Sequence, residues 1–111
     1  MKLKEVVEKL NCTVICGQER LEQDCAGGYV SDLLSDVMGH AQEAQIWLTI
    51  QTHVNVVAVA LLLNLSAILF TAGSTPGRET VEKAKEEGIV LLGTDLSTFE
   101  AGGRLYLLLR E

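Results

Sequence analysis

The sequence has 111 residues, of which 48% are hydrophobic and 22% charged, and it carries a formal charge of −6. That length is close to the commonest size for one domain, and that apolar content excludes a disordered chain. The acidic balance, with no run of Lys or Arg, argues against a nucleic-acid partner.

Apolar residues at Leu3, Val6, Val7 and Leu10 recur with the spacing of one helix face, predicting a helix over Lys2–Leu10 that Asn11 can end. Thr13–Cys16 reads as a short buried strand closed by Gly17, and the polar stretch Gln18–Gln23 as a turn or loose edge. Gly27 and Gly28 precede a second short strand at Tyr29–Val30. Ser31 stands where an N-cap would begin a helix over Asp32–Met38, with acidic residues near its positive end.

From Gln45 onward the pattern is clearer. Ile46–Ile50 predicts a strand, Thr52 caps a helix from about His53 to Leu63, and Ser66–Thr71 predicts another strand. After the loop Ala72–Thr75, Thr75 and Pro76 have the cap-then-proline order of a helix start, and that helix should stop at Gly88. Ile89–Leu92 is a further strand. Ser97 and Glu100 have capping-box spacing, opening a last helix to about Leu109.

The second half therefore reads β-α-β-α-β-α. Its strands are continuous apolar runs, as expected of a mostly parallel sheet flanked by helices. One α/β domain over residues 1–111 is expected, with a core of Leu, Val, Ile and Ala because aromatics make up 5%. Val54–Phe70 is almost wholly apolar and at the short limit of the roughly 17–25 residues that span a bilayer. Asn55, Asn64 and Ser66, and the lack of a basic flank, favour a buried helix followed by a buried strand over a membrane segment. The helix His53–Leu63, being apolar nearly all round, must be covered by the sheet and by another helix or a second subunit, so Val54, Val57 and Leu61 are packing or dimer candidates. Gly102 and Gly103 inside the last helix each cost about 1 kcal/mol against Ala and suggest a closely approaching neighbour.

The chemistry-bearing residues are sparse. Cys12, Cys16 and Cys25 make an odd count without a CxxC pair, so reduced thiols are expected rather than a disulfide framework or a zinc site. The opening Met1–Glu5 lacks the apolar core of a signal peptide, and a cytoplasmic protein is expected. Gly73–Thr80 is the nearest look-alike of a phosphate-binding loop, but its glycine spacing is wrong and it has no lysine. GxGxxG and GxSxG patterns are absent. Asp24, Asp32, Asp36 and His40 could suggest metal, yet nothing fixes a third ligand, and no metal or cofactor is expected. His40 reads as solvent-facing. His53, in Gln51-Thr52-His53, falls at the end of a parallel strand and the start of a helix, where amides attract anions and an imidazole can add a donor; alternatively it fills space. Gly27-Gly28 permits close backbone approach of a ligand or chain, or marks a plain turn or bulge.

The run Asp24-Cys25-Ala26-Gly27-Gly28, followed by Tyr29-Val30-Ser31-Asp32-Leu33-Leu34-Ser35-Asp36-Val37, resembles the DRTGG domain. Asp24, Gly27 and Gly28 match the motif of its name, while Cys25 and Ala26 stand for Arg and Thr. Trp47–His53 and Glu100-Ala101-Gly102-Gly103-Arg104-Leu105-Tyr106 extend the resemblance over nearly the whole chain. It implies an α/β sandwich like the N-terminal domain of HPr kinase/phosphorylase, often paired as a homodimer, without the separate domain that holds the kinase phosphate loop.

The expected function is a non-catalytic regulatory or ligand-sensing domain. A small anionic metabolite or nucleotide would bind near Asp24, Gly27, Gly28, Ser31, Asp32, Gln51, Thr52 and His53, a partner protein is a further possibility, and the domain would act as a homodimer. The alternative is a pure dimerisation or interaction module with no small ligand, using Val54, Val57, Leu61, Gly102 and Gly103. HPr-type serine kinase activity ranks last, for want of the phosphate loop.

Overall fold

A computed structural model describes all residues, Met1–Glu111. Five strands, β1 (Thr13–Cys16), β2 (Gly27–Val30), β3 (Gln45–Thr49), β4 (Ala67–Phe70) and β5 (Leu91–Gly93), form one sheet in the order β1-β5-β4-β3-β2. β2 through β5 run parallel; β1 pairs antiparallel with β5 at one edge, which leaves β2 as the other edge. The five α-helices are α1 (Leu3–Lys9), α2 (Leu34–His40), α3 (Asn55–Leu63), α4 (Arg78–Glu87) and α5 (Thr98–Leu109). The mixed α/β class and the mostly parallel sheet expected from the sequence are present.

Alternation along the strands builds two cores. Trp47, Ile68, Phe70 and Leu91 point to one face and pack with Val37, Val56, Val57, Ala60 and Ala84 of α2, α3 and α4. Ile46, Leu48, Ala67, Leu69 and Leu92 point to the other and pack with Leu3 and Val6 of α1 and with Ala101, Leu105 and Leu108 of α5. The parallel strands follow one another across the sheet in unbroken order, and right-handed crossovers that step one way keep their helices on one face. Three crossover helices thus cover one face, while the other has only α1 and α5.

Several boundaries differ from the sequence expectation. Gly27 and Gly28 lie inside β2 rather than before it, because they pair with Gln45 and Ile46. α2 begins after Leu33, not after Ser31; the Ser31 hydroxyl instead accepts the Leu33 amide (3.2 Å), a local turn that delays the helix. Asp32 therefore lies outside α2 and does not share a helix face with Asp36. α3 begins at Asn55, and Thr52 is not its cap: the Asn55 amide donates to Nδ1 of His53 (3.1 Å). α4 starts at Arg78 behind Gly77, two residues past Pro76, and Gly88 ends it in a left-handed conformation. Gln18–Arg20 is a short 3₁₀ turn. The capping box is present, Ser97 accepting the Glu100 amide at 3.1 Å. The outer side of α3 is not covered in the single chain, where Leu61 and Leu62 are exposed. No helix is long and apolar enough to cross a membrane.

Candidate functional site

The residues singled out from the sequence fall in four places, the fourth being the seam between β2 and α5 that holds Gly28, Gly102 and Gly103. Asp24 lies ahead of β2, at the end of the sheet opposite the strand termini, where its carboxylate sits 3.4 Å from Lys2 Nζ and its backbone bridges to Lys2. Ser31, Asp32, Gln51, Thr52 and His53 follow β2 and β3 and gather at the carboxyl ends of the strands. Val54, Val57 and Leu61 belong to the α2–α4 side, Val57 as a fully buried core residue and Leu61 as an exposed one. Asp24, with Gly27 and Gly28 at the start of β2, is thus separated from Ser31, Asp32, Gln51, Thr52 and His53 by the length of β2.

At the strand ends the polar groups satisfy one another. Oδ1 of Asp32 accepts the Thr49 hydroxyl (2.8 Å) and the Ile50 amide (3.0 Å), and the Thr49 hydroxyl accepts the Gln51 amide (3.1 Å). The Trp47 indole donates to the Ser31 carbonyl (2.8 Å), and the Thr80 hydroxyl donates to the Thr52 carbonyl (2.8 Å), tying α4 to this loop. The amide that His53 caps is engaged, so the start of α3 offers an anion less than a bare helix end would. The strand order never reverses from β2 to β5, so the switch-point crevice that usually collects ligands in open parallel sheets is missing among them. A polar depression of about 370 Å³ does lie at the ends of β4 and β5, lined by Ser74, Thr75, Thr94 and Asp95 and by Asn11–Thr13.

The larger concavity is elsewhere. Between the edge strand β2 and α5 runs a groove of about 570 Å³ lined by Gly28, Val30, Leu48, Phe99, Gly102, Gly103 and Tyr106, among others. Gly28 exists as glycine for the sake of α5: a Cβ there would stand 2.8 Å from Leu105 Cδ2, so the bare backbone lets the helix settle on the strand. The structure therefore unites Gly28 with Gly102 and Gly103, which the sequence had assigned to separate roles. Phe99 and Tyr106, missed by the sequence reading, frame this groove at 91% and 60% exposure. Their signal was present: two aromatics seven residues apart, placed evenly about the diglycine of an otherwise amphipathic helix.

Burial pushes the Cys12 thiol up to about 11 and raises Cys16 and Cys25 as well, which favours the protonated thiol over the thiolate at all three. The Tyr29 hydroxyl donates to Asp36 (2.8 Å), and His40 Nδ1 sits 3.1 Å from the same carboxylate. The Tyr29 bond holds Asp36 below the ordinary carboxylate range and raises the phenol in return. This Tyr-Asp-His chain lies on the α2 surface and lines none of the concavities.

Comparison of the sequence with protein-family models and with curated proteins finds no match. Among solved structures, the chain is similar to the CBS and DRTGG domains of the regulatory region of Clostridium perfringens pyrophosphatase, which was crystallised with its activator diadenosine tetraphosphate. The TM-score is 0.76 at 22% identity, over 97% of this chain and 46% of that one. The chain spans less than half the length of that regulatory region, and at this identity the likeness shows a shared mixed α/β fold.

Proposed function

We propose that this chain is a DRTGG-type regulatory domain that acts by binding, as a homodimer, and carries out no reaction of its own. The observation that supports this best is the groove between β2 and α5. Its lining offers apolar side chains, bare glycine backbone and two aromatics, and no carboxylate, imidazole, amine or thiol. Such a surface seats an apolar or aromatic group, and its two hydroxyls, on Thr98 and Tyr106, have no carboxylate, imidazole or amine in the lining to activate them. The retained Asp24, Gly27 and Gly28 and the likeness to a regulatory region favour the DRTGG assignment. The resemblance to the HPr kinase N-terminal domain brings no kinase chemistry, since Gly73–Thr80 forms a lysine-free loop and the first three residues of α4.

A small polar ligand of the nucleotide class is a second reading. It is favoured by the hydroxyl-lined depression at the ends of β4 and β5, where Asp95 can accept from ribose hydroxyls, and by the nucleotide bound to the similar regulatory region. Thermal-shift and calorimetric titration with adenine nucleotides and diadenosine tetraphosphate test it. A ligand at a hundred times its Kd should add about 2.7 kcal/mol of stability. No stabilisation at millimolar nucleotide would remove the small-ligand part, and ATP-dependent phosphoryl transfer by the pure chain would overturn the reading as a whole.

A further inference from the structure

The groove leaves open what it receives. Helix α5 buries Ala101, Leu105 and Leu108 against the sheet. Its opposite side should be polar in a finished surface helix. Instead it carries Phe99, Gly103, Tyr106 and Leu107, with Phe99, Tyr106 and Leu107 at 91%, 60% and 66% exposure. Gly103 is the anomaly of this stripe. A Cβ at Gly103 would meet nothing within 4 Å, so the single chain gains nothing from its absence and still bears the helix cost of about 1 kcal/mol. An occupant that needs the room explains it.

We propose that the occupant is a second copy of this chain, docked by antiparallel packing of α5 on α5 with the two-fold axis beside Gly102 and Gly103. This rests on the homodimeric regulatory reading above and names its interface. The stripe is self-complementary in that one arrangement. Gly102 meets the partner's Gly103, the backbones approach closely, and each Phe99 lies beside the partner's Tyr106 at the mouth of the groove. A two-fold interface requires such matching of a surface to itself. The charges order it the same way. Glu100 and Arg104, one turn apart and bonded at 3.3 Å, lie together on one flank of the stripe. Antiparallel helices place Glu100 within a residue of the partner's Arg104, and the reverse, closing a ring of four alternating charges. A parallel pairing would set the two Phe99 rings against each other and leave the two charged flanks on opposite sides of the seam, unpaired. Aromatic anchors at the centre with charges at the rim are the usual anatomy of a protein interface.

Sedimentation equilibrium on the full chain tests this. Wild type should dimerise; Phe99→Asp, at a position the single chain leaves exposed, should weaken the dimer at least about thirtyfold with an unchanged far-UV spectrum. Leu61→Asp on the exposed side of α3 should change it less than about twofold. Gly103→Ala separates association from folding: the thermal midpoint of the dilute monomer should rise while dimerisation weakens about tenfold. Glu100→Lys and Arg104→Glu should each weaken self-association about fivefold, and an equimolar mixture of the two should recover it as a heterodimer. A dimer sensitive to Leu61→Asp and indifferent to Phe99→Asp would overturn this interface and leave the homodimeric reading intact. A wild-type monomer at several hundred micromolar would overturn both, and the nucleotide titration would then decide the regulatory reading separately.

Discussion

The two faces of the sheet are finished differently. On one, α2, α3 and α4 bury Trp47, Phe70, Ile68 and Leu91 behind three crossover helices. On the other, α1 and α5 cover the sheet, and β2 at the edge keeps Val30 half exposed beside a groove of about 570 Å³. The difference follows from topology. A parallel sheet whose strands advance in one direction collects its connections on one side, so the opposite side is roofed only by the segments before and after the parallel run. The closed face buries Trp47 and Phe70, and the open face keeps the groove beside β2.

Large-to-small substitutions on the two faces should expose this contrast most strongly. Trp47→Ala removes a fully buried ring and leaves the Ser31 carbonyl without its indole donor, and should cost about 3–5 kcal/mol in urea unfolding. Leu105→Ala, equally buried but bordering the groove, should fall near the lower end of about 2–5 kcal/mol, because α5 can relax toward space already there. Equal costs at the two sites would erase the distinction between the faces.

Gly28→Ala sharpens the comparison at the seam between β2 and α5. Its methyl would press on Leu105 Cδ2 from 2.8 Å, and the flexible end of that side chain can yield, so about 1 kcal/mol should be lost. The same change should shift α5 outward and narrow the groove, read as altered Tyr106 fluorescence anisotropy.

The smallest effect belongs to the closed face. Asp36, held low by its bond from Tyr29, contributes stability above its unfolded pKa and loses it as pH falls through the lower folded value. Urea midpoints taken from neutral pH into acid should therefore drop, and Tyr29→Phe should flatten part of that drop. An unchanged acid limb in Tyr29→Phe would detach the Asp36 titration from the phenol.

Much of this was legible in the sequence, for identifiable reasons. The apolar runs at Ile46, Ser66 and Ile89 announced buried parallel strands, and Ser97 with Glu100 announced the start of α5. The starts of α2, α3 and α4 were placed too early because Ser31, Thr52 and Thr75 are good caps in sequence, while the first two are engaged otherwise: Ser31 turns locally onto Leu33, and Thr52 lends its carbonyl to Thr80 across the fold. The candidate site was half visible. Gly28, Gly102 and Gly103 were marked as places of close approach, yet β2 and α5 are far apart in sequence, and no local pattern tells that they touch. Phe99 and Tyr106 were passed over because exposure belongs to the folded chain. Ser31, Asp32, Gln51 and His53 were favoured by a rule for sheets whose strand order reverses, and the order from β2 to β5 does not.

Hydrogen exchange read residue by residue at two protein concentrations tests most directly whether the open face is the working one. Raising the concentration should slow exchange at amides of α5 and β2 and leave α3 and α4 unaltered. Slowing confined to α3, or none anywhere in the chain, would contradict the account.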